Sequence, residues 1–232
     1  MKILVACEES QRVCTAFRER GHEAYSCDLE DCSGNHPEWH IMGDVLPLLN
    51  GRVTFQVRGG GSYVEIPDRW DMIIAFPPCT YLTHVATRHH SLKCASLESI
   101  NRRTLTRIEA MGFFMKFCTA DCDRIAVENP VGIMNTAYRK PDQIIHPYQF
   151  ADGEEDRENY VTKGTCLWLK GLPPLSVNNL PKPDNAEKFG RYPSGKARTW
   201  EEVQISIPGV SRAAVRSKTF PAVAQAMGRD WG

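Results

Sequence analysis

Two reactive side chains stand directly after short apolar segments of the chain. Cys79 follows the apolar run 70–75 and the proline pair Pro77-Pro78, and Glu128 follows a second apolar run. An apolar, β-branched run that ends at proline is typical of a buried strand that opens into a loop. Open α/β sheets bind ligands at that edge, where a thiol can act as a nucleophile and a carboxyl group as a proton donor. The pattern indicates covalent catalysis on an electron-poor heterocycle, and the alternative for Cys79 is a structural buried thiol.

The first thirty residues predict a strand-helix-strand unit of the kind that forms part of such a sheet. A strand at 2–6, a helix at 12–20 closed by Gly21 and a strand at 23–27 follow one another, with Asp28 at the tip of the second strand. Ser10 is the expected N-cap of the helix. An acid at the Asp28 position either accepts hydrogen bonds from ribose hydroxyls or caps a turn, and the residues alone leave both roles open.

The rest of the chain predicts one α/β domain over residues 1–232, with a mostly parallel central sheet and helices on both faces. Further elements are expected as follows: a strand ending near Asp44, an inserted hairpin at 51–68, a helix at 96–119, strands at 123–127 and 165–169, a loop-rich segment at 176–215, and a helix at 221–231. The segment 133–160 is punctuated by prolines and is expected to be irregular.

Composition limits the classes of function. The 232 residues carry no net charge, which argues against a general nucleic-acid binder, although basic residues outnumber acidic ones between 180 and 218. No apolar run approaches a membrane span, and the N-terminus turns acidic too early for a signal peptide. The nine cysteines are therefore expected to be reduced thiols in a cytoplasm, either of a bacterium or of a phage-infected host. The oligomeric state is not readable from the residues.

Two cysteines and two histidines between residues 27 and 40 are candidate ligands of a zinc ion. Cys27, Cys32, His36 and His40 have the side-chain types that zinc prefers. Their spacing lacks a paired Cys-x-x-Cys knuckle, and Asp28 occupies the same turn. We expect no metal here.

The order of these segments resembles the cytosine-5 DNA methyltransferase family. The segment 77–83, Pro-Pro-Cys-Thr-Tyr-Leu-Thr, resembles the nucleophile loop of that family, and 128–130, Glu-Asn-Pro, resembles its Glu-Asn-Val element. Residues 4–28 are similar to its first cofactor-binding unit. The runs at 165–173 and 218–227 are similar to segments of short phage-type members.

The resemblance implies a Rossmann-like fold that depends on S-adenosylmethionine and methylates a cytosine flipped out of duplex DNA. It assigns Cys79 as the nucleophile that attacks C6 and Glu128 as its partner at N3. The cofactor-binding residues it implies are Ala6, Cys7, Glu8, Glu9, Ser10, Asp28, Asp44 and Pro77. The substrate-binding residues it implies are Pro78, Thr80, Asn129, Arg157 and Lys163.

The sequence departs from that family in three places. The first loop, 6–10, contains no glycine. The Gln-x-Arg-x-Arg element of the family is not recognisable before residues 165–169, and Arg157 and Lys163 are the nearest candidate cations. The segment 176–215 is small for a target-recognition region. Two alternatives follow: a catalytically inactive homologue that binds a nucleotide or a partner, or an enzyme that modifies free pyrimidine nucleotides.

Overall fold

A computed structural model describes residues 1–60, 63–84, 91–199, 202 and 217–232. The strands are β1 Lys2–Ala6, β2 Glu23–Asp28, β3 His40–Met42, β4 Val53–Phe55, β5 Val64–Ile66, β6 Met72–Ala75, β7 Ile125–Pro130, β8 Gln143–Ile145 and β9 Thr165–Lys170. The helices are α1 Arg12–Arg18, α2 Leu97–Cys118, α3 Met134–Ala137, α4 Asn185–Phe189 and α5 Pro221–Trp231. In these ranges no helix is both long and apolar enough to span a bilayer.

Seven strands form one sheet in the order β3-β2-β1-β6-β7-β9-β8. β9 runs antiparallel to both of its neighbours, and the other pairs are parallel. The strand order reverses direction between β1 and β6, which makes that boundary the topological switch point where α/β sheets bind ligands. The predicted Rossmann-like architecture with a mostly parallel sheet is confirmed.

Both faces of the sheet are covered, as a run of apolar residues in a parallel strand requires. Leu4 and Ala6 of β1 face a core that includes Phe114 and Phe117 of α2. Ile3 and Val5 point the other way, into a core shared by α1 and α5. The alternation along one strand therefore places helices on both faces, as predicted.

The strands β4 and β5 pair antiparallel in a separate two-stranded sheet. Phe55 and Ile66 are buried, and the Phe55 ring stacks on Trp70 with centroids 6.2 Å apart. The hairpin is therefore packed against the body through its apolar face. Residues 61 and 62 of its connecting turn lie outside the described residues.

Two parts of the fold differ from the sequence prediction. The segment expected to be irregular contains β8, which pairs with β9 through Ile145 and Thr165. β8 has three residues between prolines, too few for a period-2 pattern to be recognised. The segment 176–215 contains α4, and its residues 200–201 and 203–215 lie outside the described residues.

Candidate functional site

The Cys79 loop begins at the carboxyl end of β6, beside the switch point. The Phe76 N–H donates to the Ala6 carbonyl at 2.9 Å, which carries the β1–β6 pairing into the loop. The Cys79 carbonyl accepts from the Leu82 and Thr83 N–H groups at 2.9 and 3.2 Å, and this closes a tight turn. Cys79 is partly exposed, between a buried Pro77 and an exposed Pro78 and Thr80. Cys79 thus lies in a partly exposed turn that follows the carboxyl end of β6.

Glu128 lies in the neighbouring strand β7, just beyond the part of that strand that pairs with β6. Ala75 of β6 pairs with Val127 of β7, so Glu128 is one residue beyond the point where β6 turns into the Cys79 loop. Burial raises the pKa of the Glu128 carboxyl, and the charge of Lys163 and a hydrogen bond from Thr165 act in the opposite direction. Because its pKa is raised, this carboxyl holds a proton more readily than a solvated glutamate does.

Asn129 ties the two strand ends together. Its Nδ2 donates to the Pro77 carbonyl at 2.7 Å in a buried hydrogen bond. Its Oδ1 is buried with no hydrogen-bond partner among the described residues. The residue predicted to bind substrate therefore also fixes the Cys79 loop relative to Glu128.

A second connection follows Pro130. Thr83 and Gly132 form an isolated antiparallel bridge, and the Ile133 N–H donates to the Leu82 carbonyl at 2.8 Å. A Cβ atom at Gly132 would collide with the Leu82 carbonyl oxygen. The close approach of the two loops thus requires glycine at this position.

We expect Gly132→Ala to lower the free energy of unfolding by about 2 kcal/mol or more, because two backbone segments must separate. Denaturant unfolding measures this change. Gly112→Ala is the matched control, since Gly112 lies in α2 with open space around its Cα. There alanine should stabilise by about 0.5–1 kcal/mol. Equal effects of the two substitutions would contradict the close approach at Gly132.

The carboxyl ends of β1, β2 and β3 form the other half of this edge. Burial, then the nearby charges of Asp28, Cys27 and Asp44, raise the pKa of the Cys7 thiol, so those groups lie close to Cys7. Cys7 has φ 59° and Gln11 has φ 57°, left-handed conformations that glycine usually supplies. The glycine-free first loop therefore still turns sharply. Asp28 and Asp44 place two carboxylates where they can accept from hydroxyl or amino groups.

Glu8 has a role that the sequence did not reveal. It is buried, and its carboxylate accepts from the Val13 and Cys14 N–H groups at 2.6 and 3.1 Å. It therefore caps the start of α1. The expected N-cap Ser10 is wrong, because the N-cap position belongs to Gln11.

Glu9 and Ala6 complete the first loop. The Glu9 carboxylate accepts from the Ser33 hydroxyl at 2.5 Å and lies 3.7 Å from the Lys218 ammonium group. Ala6 is fully buried in the sheet, and Ser10 is also buried. Both glutamates of the loop are thus engaged with protein groups.

The Glu8 carboxyl predicts a pH dependence of stability. Burial raises the pKa of the Glu8 carboxyl to about 7, although the two N–H groups that donate to its charged form lower it. Because the folded state then binds the proton more tightly than the unfolded state, the free energy of unfolding should fall as pH rises from about 4.5 to about 7. Denaturant unfolding at pH 5 to 8 measures this slope.

Glu8→Gln should flatten the slope, and Glu30→Gln, at an exposed loop position, should leave it as in the wild type. An unchanged slope in Glu8→Gln would contradict the raised pKa.

The two candidate cations are placed differently. The charge of Lys163 acts on Glu128, and its Nζ lies 5.6 Å from the Phe220 ring centroid. Arg157 is exposed. Sequence reasoning missed Thr165, which bonds Glu128, because its position depends on the antiparallel pairing of β7 and β9.

The residues considered for zinc have other contacts. His40 shares hydrogen bonds with the Ser26 hydroxyl and the Glu30 carbonyl, both at 2.9 Å. The His36 ring stacks on Trp39 with centroids 3.8 Å apart. Across the described ranges, no group of three or more His, Cys, Asp or Glu residues is arranged to hold a metal ion.

Comparisons with known proteins add little to this geometry. No family model and no curated protein matches the chain. Among 44 matching chains of solved structures, one from E. coli is described provisionally as a DNA modification methyltransferase encoded within a prophage. It shares 13% identity and a TM-score of 0.39, over 90% of this chain and 56% of that chain. This chain thus spans little more than half of that protein. The likeness carries no argument about activity, and the fold stands on the strand order.

Proposed function

We propose that this protein methylates C5 of a cytosine in DNA, using S-adenosylmethionine and a covalent bond to Cys79. The observation that carries the proposal is that β6, which leads into the Cys79 loop, pairs in parallel with β7, which carries Glu128 just beyond the paired residues. The Asn129–Pro77 hydrogen bond supports it, since it fixes the loop of the nucleophile to the strand of the acid. A pyrimidine bound at this edge would meet a thiol and a proton donor together.

The chain's own groups perform most of the proposed reaction. The Cys79 thiolate adds to C6, and Glu128 gives a proton to N3, so that the displaced electron pair leaves C5 nucleophilic. The raised pKa of Glu128 suits this donation. After C5 has formed its bond to the methyl carbon, loss of the C5 proton to solvent and of the N3 proton to Glu128 expels the Cys79 thiolate.

The residues at the ends of β1 to β3 fit the cofactor. Asp28 and Asp44 supply carboxylates for the ribose hydroxyls and the adenine amino group, and Pro77 borders the neighbouring strand end. When bound, S-adenosylmethionine supplies an electrophilic methyl carbon and leaves as the thioether. Cys7 allows the sharp turn in the absence of glycine. Asp28 and Asp44 each accept one backbone N–H through Oδ1, from Glu30 and Leu46. The second oxygen of each carboxylate is the proposed anchor.

The exposed side of the loop faces the substrate in this proposal. Pro78 and Thr80 are exposed beside Cys79, and Lys163 lies near Glu128. An extruded cytosine would enter between them. A free pyrimidine nucleotide is the second candidate substrate, and the absence of net charge favours it.

Calorimetric titration with S-adenosylmethionine tests whether the protein binds the proposed cofactor. Saturable binding, together with transfer of a labelled methyl group to cytosine-containing DNA, is the expected result. Transfer to deoxycytidine monophosphate but not to DNA would favour the nucleotide substrate. No binding of the cofactor would contradict the proposal and favour an inactive homologue.

A further inference from the structure

The Cys79 turn is held from the outside by two arginines of α2. The Arg107 Nε donates to the Tyr81 carbonyl at 3.1 Å. The Arg103 guanidinium lies over the Tyr81 ring, 5.4 Å from its centroid. Tyr81 is two residues beyond Cys79, inside the turn that the Cys79 carbonyl closes. Both guanidinium groups thus lie beside the nucleophile loop.

The two arginines have hydrogen-bond donors to spare. The Nε atom of Arg103 and the Nη2 atom of Arg107 are buried, and neither atom has a hydrogen-bond partner in the part of the chain that the structure describes. Within the same ranges, neither side chain forms an ion pair. The spacing of four residues puts both on one face of the helix. Burial and the charge of Arg103 lower the pKa of Arg107.

Such an arrangement is unfavourable in isolation. Two like charges lie close together with part of their N–H surface removed from water, and buried donors without partners cost free energy. An anion bound by both side chains offsets the repulsion between their charges, and a turn of either side chain toward the anion gives its buried donor a partner. Phosphate has the geometry for this, because a guanidinium fork binds two of its oxygens at once.

We propose that Arg103 and Arg107 bind a phosphate group of the polynucleotide strand, next to the Cys79 loop. Only the source of the phosphate, a polynucleotide, depends on the proposed function; the binding of a phosphate by the two arginines does not. The phosphate would anchor the strand at the rim while the base enters between Cys79 and Glu128. The chain has no net charge, so two arginines that form no ion pair within the described residues provide a local attraction that the overall charge does not.

The test uses a single-stranded oligothymidine probe, which contains no cytosine and needs no cofactor. Fluorescence anisotropy measures its dissociation constant over a range of salt concentrations. Arg103→Gln and Arg107→Gln should each weaken binding about tenfold. Each should also reduce the slope of log K against log salt, by at most about 0.7, the value for one phosphate contact on a single strand.

Arg102→Gln is the matched control, since Arg102 is exposed on the same helix and carries the same charge. It should keep the wild-type affinity within about twofold. Arg103→Lys keeps the charge and loses the fork, so it should retain the wild-type salt slope with reduced affinity. If Arg107→Gln unfolds because the Tyr81 contact is lost, the two Arg103 variants and the control carry the test.

The source of the phosphate is separated by a second probe, thymidine monophosphate. Binding of the mononucleotide alone, weakened by Arg103→Gln, supports the phosphate site with a free nucleotide as its source. The proposal is overturned if neither probe binds, if Arg103→Gln binds like the wild type, or if Arg102→Gln weakens binding equally. If the wild-type protein binds the probe but transfers no methyl group to DNA, the proposed function is overturned and the phosphate site is still supported.

Discussion

Cys79→Ser is expected to abolish the covalent adduct between the protein and an oligonucleotide that carries 5-fluorocytosine. In the proposed reaction the thiolate adds to C6, and fluorine at C5 prevents the elimination that would release it. A serine hydroxyl is a far weaker nucleophile at neutral pH than a thiol, so no adduct should form. Denaturing electrophoresis and mass spectrometry of the complex measure the adduct, with S-adenosylmethionine present. Methyl transfer to ordinary cytosine DNA should fall below detection in the same variant.

Cys94→Ser is the matched control, because Cys94 is an exposed thiol outside the nucleophile loop. It should form the adduct as the wild type does. An adduct that persists in Cys79→Ser would place the nucleophile elsewhere. A wild-type protein that binds the cofactor and forms no adduct would favour the free nucleotide or the inactive homologue.

Glu128→Gln is expected to lower the rate of methyl transfer by about 10²–10⁴-fold, the range that general acid catalysis contributes. Glutamine has almost the same shape, so the Asn129–Pro77 bond and the position of Cys79 should persist. What the variant loses is the ionisable proton that Glu128 gives to N3. Single-turnover measurements of methyl transfer, with saturating cofactor, isolate this step.

Glu109→Gln serves as the control for Glu128→Gln, since Glu109 is exposed on α2. Its rate should match that of the wild type. Affinity for S-adenosylmethionine should be unchanged in both variants, because neither side chain is assigned to the cofactor. A Glu128→Gln rate within a few-fold of the wild type would remove Glu128 from the reaction.

The regular elements of the fold follow from local patterns in the sequence. β1 and the terminal helix α5 have the predicted bounds, and α2 begins after Ser96, whose side chain accepts from the Ser99 N–H. Apolar runs, caps and prolines act over a few residues, so they are readable without the rest of the chain. The Cys79 loop and Glu128 belong to β6 and β7, which pair in parallel, and the catalytic roles of both residues stay predictions.

The contacts that make a site out of these elements were decided only by the tertiary structure. The hydrogen bond from Asn129 to Pro77 joins residues 52 positions apart, and the Arg107–Tyr81 contact spans 26 positions. Glu8 likewise turned out to cap α1 rather than to lie open to a ligand. A residue's type states which bonds it can make, and the partner is chosen by packing between segments that no local pattern connects. The sequence therefore determined which groups stand at the sheet edge, and the folded chain decided which of them are already occupied.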